Sequence, residues 1–142
     1  MNNHSLIYPD KIKTIDIRRI SYLVLFLWSF GITEIGRFVY RPFIYSNNIN
    51  DFGLADAIGN LGGIIVQIFF ILTLLNPPQK KAWVFITLLP IGYVAYEILQ
   101  PYLPRGVYDI KDVWGSFIGG AIAALLYLLI CKLVKNKIIY KF

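Results

Sequence analysis

Apolar residues fill nearly every position over four long stretches, Ile20 to Tyr40, Ala57 to Leu75, Ala82 to Leu99 and Val113 to Leu133, with short polar segments between them. Each stretch is close to the roughly 20 residues an α-helix needs to cross a hydrocarbon core of about 30 Å. The pattern predicts an all-α membrane protein with four transmembrane helices at about 20–40, 56–75, 82–100 and 112–133, forming one domain over 1–142 with short tails. Helix 1 is expected to end near Pro42, ahead of the polar loop "YSNNIND", and "NPP" at 76–78 marks a tight turn after helix 2. Pro90 should kink helix 3, and Pro101 and Pro104 should stop it. Asp109 and Asp112 stand in an N-cap to N3 relation at the start of helix 4, a variant of the capping box. The first apolar run is longer than a signal-peptide core and has no small-x-small site after it, which reads as a retained anchor helix.

Composition agrees: 57% of the residues are hydrophobic and only 15% charged, too apolar for an ordinary water-soluble domain. Behind the net charge of +6, ten of the fourteen basic residues sit in three places: Lys11, Lys13, Arg18 and Arg19 before helix 1, Lys80 and Lys81 between helices 2 and 3, and Lys132, Lys135, Lys137 and Lys141 after helix 4. All three fall on one side of a four-helix hairpin pair, and the positive-inside rule makes that side cytoplasmic, with both tails inside. A basic rim of this kind serves topology and attraction to anionic lipid, and it leaves no case for nucleic acid as a partner. One cysteine, Cys131, and one histidine, His4, allow neither an internal disulfide nor a Cys/His zinc site.

The two halves of the chain resemble each other. Helix 2 begins "DAIGNLGG" at Asp56 and helix 4 begins "DVWGSFIGG" at Asp112, so each carries Asp, Gly at i+3, Asn or Ser at i+4, and Gly at i+7. Before them, helix 1 carries Glu34 and Arg37, helix 3 carries Glu97 and Gln100, and Arg41 and Arg105 follow. Such halves would form a parallel repeat about an axis along the membrane normal. On helix 2 the stripe Asp56, Asn60, Gly63, Gln67 shares one face, as does Asp112, Ser116, Gly119, Ala123 on helix 4. The G-x-x-x-G spacings at Gly59/Gly63 and Gly115/Gly119 predict that helices 2 and 4 form the inner contact.

Glu34, Arg37, Asp56, Asn60, Glu97, Gln100, Arg105, Asp109, Asp112 and Ser116 all fall in the half of the bundle away from the lysine-rich ends. A charge at the bilayer centre costs at least about 2.5–3.5 kcal/mol, so such groups turn inward and pair. Glu34 with Arg37 is one expected pair, Arg105 has Glu97, Asp109 and Asp112 within chain reach, and Tyr93 is placed to donate to Glu97. A packing device would account for any one of these residues alone; the whole set predicts a polar pocket open to the exterior. The other aromatics, Tyr22, Trp28, Trp83, Tyr96, Tyr102, Tyr108 and Trp114, are expected to anchor the helices at the membrane interfaces.

The stretch "YEILQPYLPRGVYDIKDVWGSFIGG" resembles the signature of the VanZ-like family of small bacterial membrane proteins: Glu97, Gln100, Arg105, Asp109, Asp112, and the glycines Gly119 and Gly120. Ser116 stands where that family usually has Asn, and Asp56 and Asn60 resemble its Asp followed four residues later by His or Asn. The resemblance spans roughly residues 20–133 and is specific over 96–120. It implies a multi-pass protein of the bacterial plasma membrane and a link to teicoplanin susceptibility, and it supplies no reaction. The favoured expectation is a binding protein for an envelope lipid head group, a lipid-linked precursor or a lipoglycopeptide, with no cofactor. Two alternatives stay open: a membrane enzyme using carboxylates and Arg, with room for Mg²⁺, on a phosphorylated or lipid-linked substrate, and a transporter or scaffold subunit, of which the transporter needs a homo-oligomer because four helices are few for alternating access. No catalytic residue is assignable, because no nucleophile is paired with a base.

Overall fold

A computed structural model of the chain describes residues 16–104 and 106–139, with side chains as far as Val134. The described residues are helical with short connections and contain no strand. Helix α1 (Ile17–Ile35) runs through a π-helical turn (Gly36–Tyr40) directly into α2 (Arg41–Ser46). Then come α3 (Leu54–Leu75), α4 (Gln79–Leu99), a 3₁₀ turn (Gln100–Tyr102) and α5 (Ile110–Ile139). Four continuous helical stretches, Ile17–Ser46, Leu54–Leu75, Gln79–Tyr102 and Ile110–Val134, are long and apolar enough to cross a membrane. Large apolar side chains such as Trp28, Phe38 and Leu125 point outward along them, as lipid-facing surfaces require.

The first span does not end near Pro42. Its backbone widens over Gly36–Tyr40, where the Arg41 N–H bonds back to the Gly36 carbonyl in an i→i+5 pattern, and the helix resumes with Pro42 in its first turn. A proline ring clashes with the carbonyl four residues before it, and a π turn just ahead of the proline shifts that carbonyl aside. The first span therefore reaches 30 residues, and its last turns become part of the polar end of the bundle.

Helices α3 and α5 form the centre, α1 lies against α3, and α4 packs on α5 and α3. Among the described residues α1 and α4 make no close approach. The α3–α5 contact is set by glycines on one side only. A Cβ on Gly115 would lie 2.9 Å from the Ala57 carbonyl oxygen, and one on Gly119 would overlap the Leu61 carbonyl. Gly120 faces α4, where a Cβ would come within 2.5 Å of the Pro90 ring. Gly59 meets nothing and Gly63 faces the Tyr93 hydroxyl, so the α3 G-x-x-x-G pair is not the counterpart of the α5 pair. The inner contact runs between helices 2 and 4 as expected; the α3 surface beneath it is Ala57 and Leu61.

At the opposite end from the polar cluster the core is aliphatic and aromatic: Ile64, Ile68, Phe69, Leu72, Ala82, Ala123, Tyr22 and Tyr127 are all but fully buried. Tyr22 stacks on Tyr127 with centroids 6.1 Å apart, and Trp83 meets Tyr127 edge-on at 5.4 Å. Tyr22 is thus a core residue rather than an interfacial anchor. This end is closed by a latch: Asp16 caps α1 by accepting from the Arg18 N–H at 3.0 Å, and the Asn76 side chain donates to its other oxygen at 2.6 Å. Asn76 ends α3 in the left-handed region (φ 41°) and so turns back toward α1. Arg19 Nε adds a bond to the Thr73 carbonyl at 2.9 Å. The Asn76 hydrogen bond, with further help from the Arg18 N–H and guanidinium, outweighs desolvation and holds the Asp16 carboxyl below its ordinary range.

Candidate functional site

The end of the bundle away from this latch gathers α2, the starts of α3 and α5, and the end of α4. Its entry loop is rigidly tied. Asp51 accepts from the N–H groups of Gly53 at 3.0 Å and Ala55 at 2.6 Å and from the Tyr40 hydroxyl at 3.2 Å, which caps α3 and joins it to the π turn. Partial desolvation pushes the Asp51 carboxyl up, but the Ala55, Gly53 and Tyr40 donors prevail and hold it below its ordinary range. Gly53 is required twice: its φ is +84°, and a Cβ there would strike the Lys111 side chain at 2.8 Å.

That lysine arm crosses Gly53 to reach Asp56. Lys111 Nζ lies 2.5 Å from Asp56 Oδ2, the Tyr45 hydroxyl donates to Asp56 Oδ1, and Arg41 donates to the Asp56 carbonyl at 2.9 Å. Asp56 is therefore the junction of α2, α3 and α5. Lys111 and Tyr45 were not singled out as site residues from the sequence. Tyr45 lies beyond Pro42 in the polar segment whose composition is that of a loop, and Lys111 sits between the aspartates Asp109 and Asp112 at the start of α5.

A second junction lies deeper. Glu97, on the last turn of α4, is only 2% exposed, and its Oε1 accepts from Asn60 Nδ2 at 3.0 Å. Its Oε2 is buried with no hydrogen-bond partner, as is Arg41 Nε nearby on α2. Ser116, fully buried, donates back to the Asp112 carbonyl at 2.8 Å. Asp112 is half-buried and lies in the electrostatic field of Glu97, Asp109, Arg41 and Asp56. Asp109 caps α5, its Oδ1 accepting from the Lys111 N–H at 2.8 Å. Gln100 ends α4, its carbonyl accepting from Leu103 N–H at 2.9 Å and packing against Gly106 so closely that a Cβ there would overlap it. The chain between α4 and α5 thus folds back over the end of α4.

Glu34 and Arg37 form their expected pair at 3.2 Å, but on the open side of α1, remote from α4. Arg105 lies outside the described residues. Tyr93 does not donate to Glu97; its hydroxyl accepts from Gln67 Nε2 at 2.6 Å. Asn60, Gly63 and Gln67 accordingly face α4, so the polar stripe of α3 looks toward α4 and not toward the matching stripe of α5. Among the described residues no three His, Cys, Asp or Glu side chains are grouped to hold a metal ion. A cleft of about 320 Å³ beside the Asp56–Lys111 pair, edged by Asp51, Phe52, Leu61 and Trp114, opens on the α3/α5 face. No protein-family model, no curated protein and no solved structure matches the chain.

Proposed function

We propose that this chain is a VanZ-like protein of the bacterial plasma membrane, with both tails in the cytoplasm, whose polar end faces the exterior and binds an envelope lipid head group or an amphiphilic glycopeptide. The observation that carries the reading is the buried carboxylate of Glu97, held by Asn60 on one oxygen and unpartnered on the other, at the polar end of a lipid-facing bundle. A polar group buried without a partner costs about 1–3 kcal/mol, more when it is charged, and a ligand that completes the bond offsets that cost. The lysine-rich latch end supplies the orientation through the positive-inside rule. Asp56 and Asp112 open α3 and α5 alike, consistent with an ancestral hairpin repeat whose two sites have since diverged.

The experiment is a susceptibility assay. Expression of the chain should lower teicoplanin susceptibility, and Glu97→Gln and Asp56→Asn should remove that effect while the protein stays in the membrane at normal abundance. Undiminished protection by both variants at equal abundance would contradict the assignment.

A further inference from the structure

We infer that the Glu97–Asn60 junction recognises a primary ammonium group, the kind carried by an aminated lipid head group. The inference rests on the head-group reading above and narrows it to one chemistry. Among the described residues the cations of the polar end already have partners: Arg37 pairs with Glu34 at 3.2 Å, Lys111 with Asp56 at 2.5 Å, and Arg41 donates through one guanidinium nitrogen to the Asp56 carbonyl at 2.9 Å, leaving its Nε free. Asp56 and Asp51 are likewise saturated by protein donors. Among the described residues of this end, what remains without a partner is one buried acceptor, Glu97 Oε2, on a side chain only 2% exposed, and one buried donor, Arg41 Nε, together with an Asp112 carboxylate to which no described residue donates.

An anionic phosphate brought to this place would face two carboxylates. An ammonium brings three N–H donors and the opposite charge, so it satisfies Oε2 and eases the electrostatic repulsion between Glu97 and Asp112. Asn60 fixes which oxygen is offered: with Oε1 held from α3, Oε2 is the oxygen left to the ligand. Oε2 is closed off in this structure, so neighbouring side chains must move to admit a head group. A quaternary ammonium has no N–H and is bulkier, so it is a poor substitute.

The test uses the full chain in nanodiscs. Retained lipids are read by native mass spectrometry after exchange among phosphatidylethanolamine, phosphatidylcholine and phosphatidylglycerol, for the wild type and for Glu97→Gln. A charge-assisted hydrogen bond predicts about tenfold or greater retention of phosphatidylethanolamine over the other two, falling toward parity in Glu97→Gln. The comparison of lipids on the wild type stands even if the variant folds poorly. A preference for phosphatidylglycerol, equal retention of all three, or an ethanolamine preference that survives Glu97→Gln overturns the ammonium assignment but leaves head-group binding standing. Failure to retain any lipid, with no protection in the susceptibility assay, overturns both. Soluble O-phosphoethanolamine as competitor separates the sources: if it displaces the lipid the head group suffices, and if it does not the acyl chains are needed.

Discussion

Asn60 Nδ2 donates to Glu97 Oε1 at 3.0 Å, a contact between residues 37 apart in sequence that joins the second turn of α3 to the last turn of α4. Glu97 is buried and Asn60 partly buried in an apolar bundle, so water competes weakly for the bond. Asn60→Ala leaves the carboxylate with neither oxygen partnered. The expected loss is about 1–3 kcal/mol, visible as a lower midpoint in detergent thermal unfolding, whereas Asn60→Gln should recover only part of it. An unchanged midpoint in Asn60→Ala would mean that the carboxylate finds another donor.

Gly119 and Gly59 have the same residue type and opposite surroundings. Gly119→Ala forces a methyl into the Leu61 carbonyl and must push α5 off α3, costing about 1–3 kcal/mol. Gly59→Ala meets no atom within 4 Å and changes stability by less than about 1 kcal/mol, in the stabilising direction. Thermal unfolding of the two variants side by side checks the assignment of the α3 and α5 faces, and equal effects would contradict it.

Gly53→Ala combines a strained φ of +84° with a collision against the Lys111 arm. It should therefore disturb the Asp56–Lys111 contact as well as the loop. A double-mutant cycle of Lys111→Met with Asp56→Asn, measured at low and high salt, should show coupling that shrinks with ionic strength and disappears in the Gly53→Ala background.

The latch at the other end depends on pH. Because Asn76 holds the Asp16 carboxyl below its ordinary range, its contribution is fully present above the unfolded value near about pH 4 and is lost as the pH falls through the lower folded value. The protection of amides at the start of α1, measured against their intrinsic exchange rate at each pH, should fall on acidification below about pH 4. Asn76→Gly keeps the left-handed backbone but removes the donor, and should exchange rapidly at neutral pH with a weaker acid response.

The four spans could be read from the chain because a continuous apolar run of the right length has few other solutions, and the polar positions could be placed at one end because helical rise fixes depth. The Glu34–Arg37 pair was legible because both ends lie on one helix. Partners across helices were not. Tyr93 and Gln67 meet, and Asn60 and Glu97 meet, because α3 is rotated so that its Asn60–Gln67 stripe faces α4, a rotation fixed by Gly115 and Gly119 pressing on Ala57 and Leu61. The continuation through Pro42 was hidden because a π turn, which leaves no mark in the residue pattern, moved the carbonyl that a proline would strike.

The account stands on the location of the head-group site, and a phospholipid carrying a photoreactive diazirine on its head group tests it most directly. With the full chain in vesicles, irradiation and peptide mapping should place adducts on the 47–53 and 103–109 connections and lose the latter in Glu97→Gln. Adducts concentrated on the 76–81 turn beside the Asp16–Asn76 latch would contradict it.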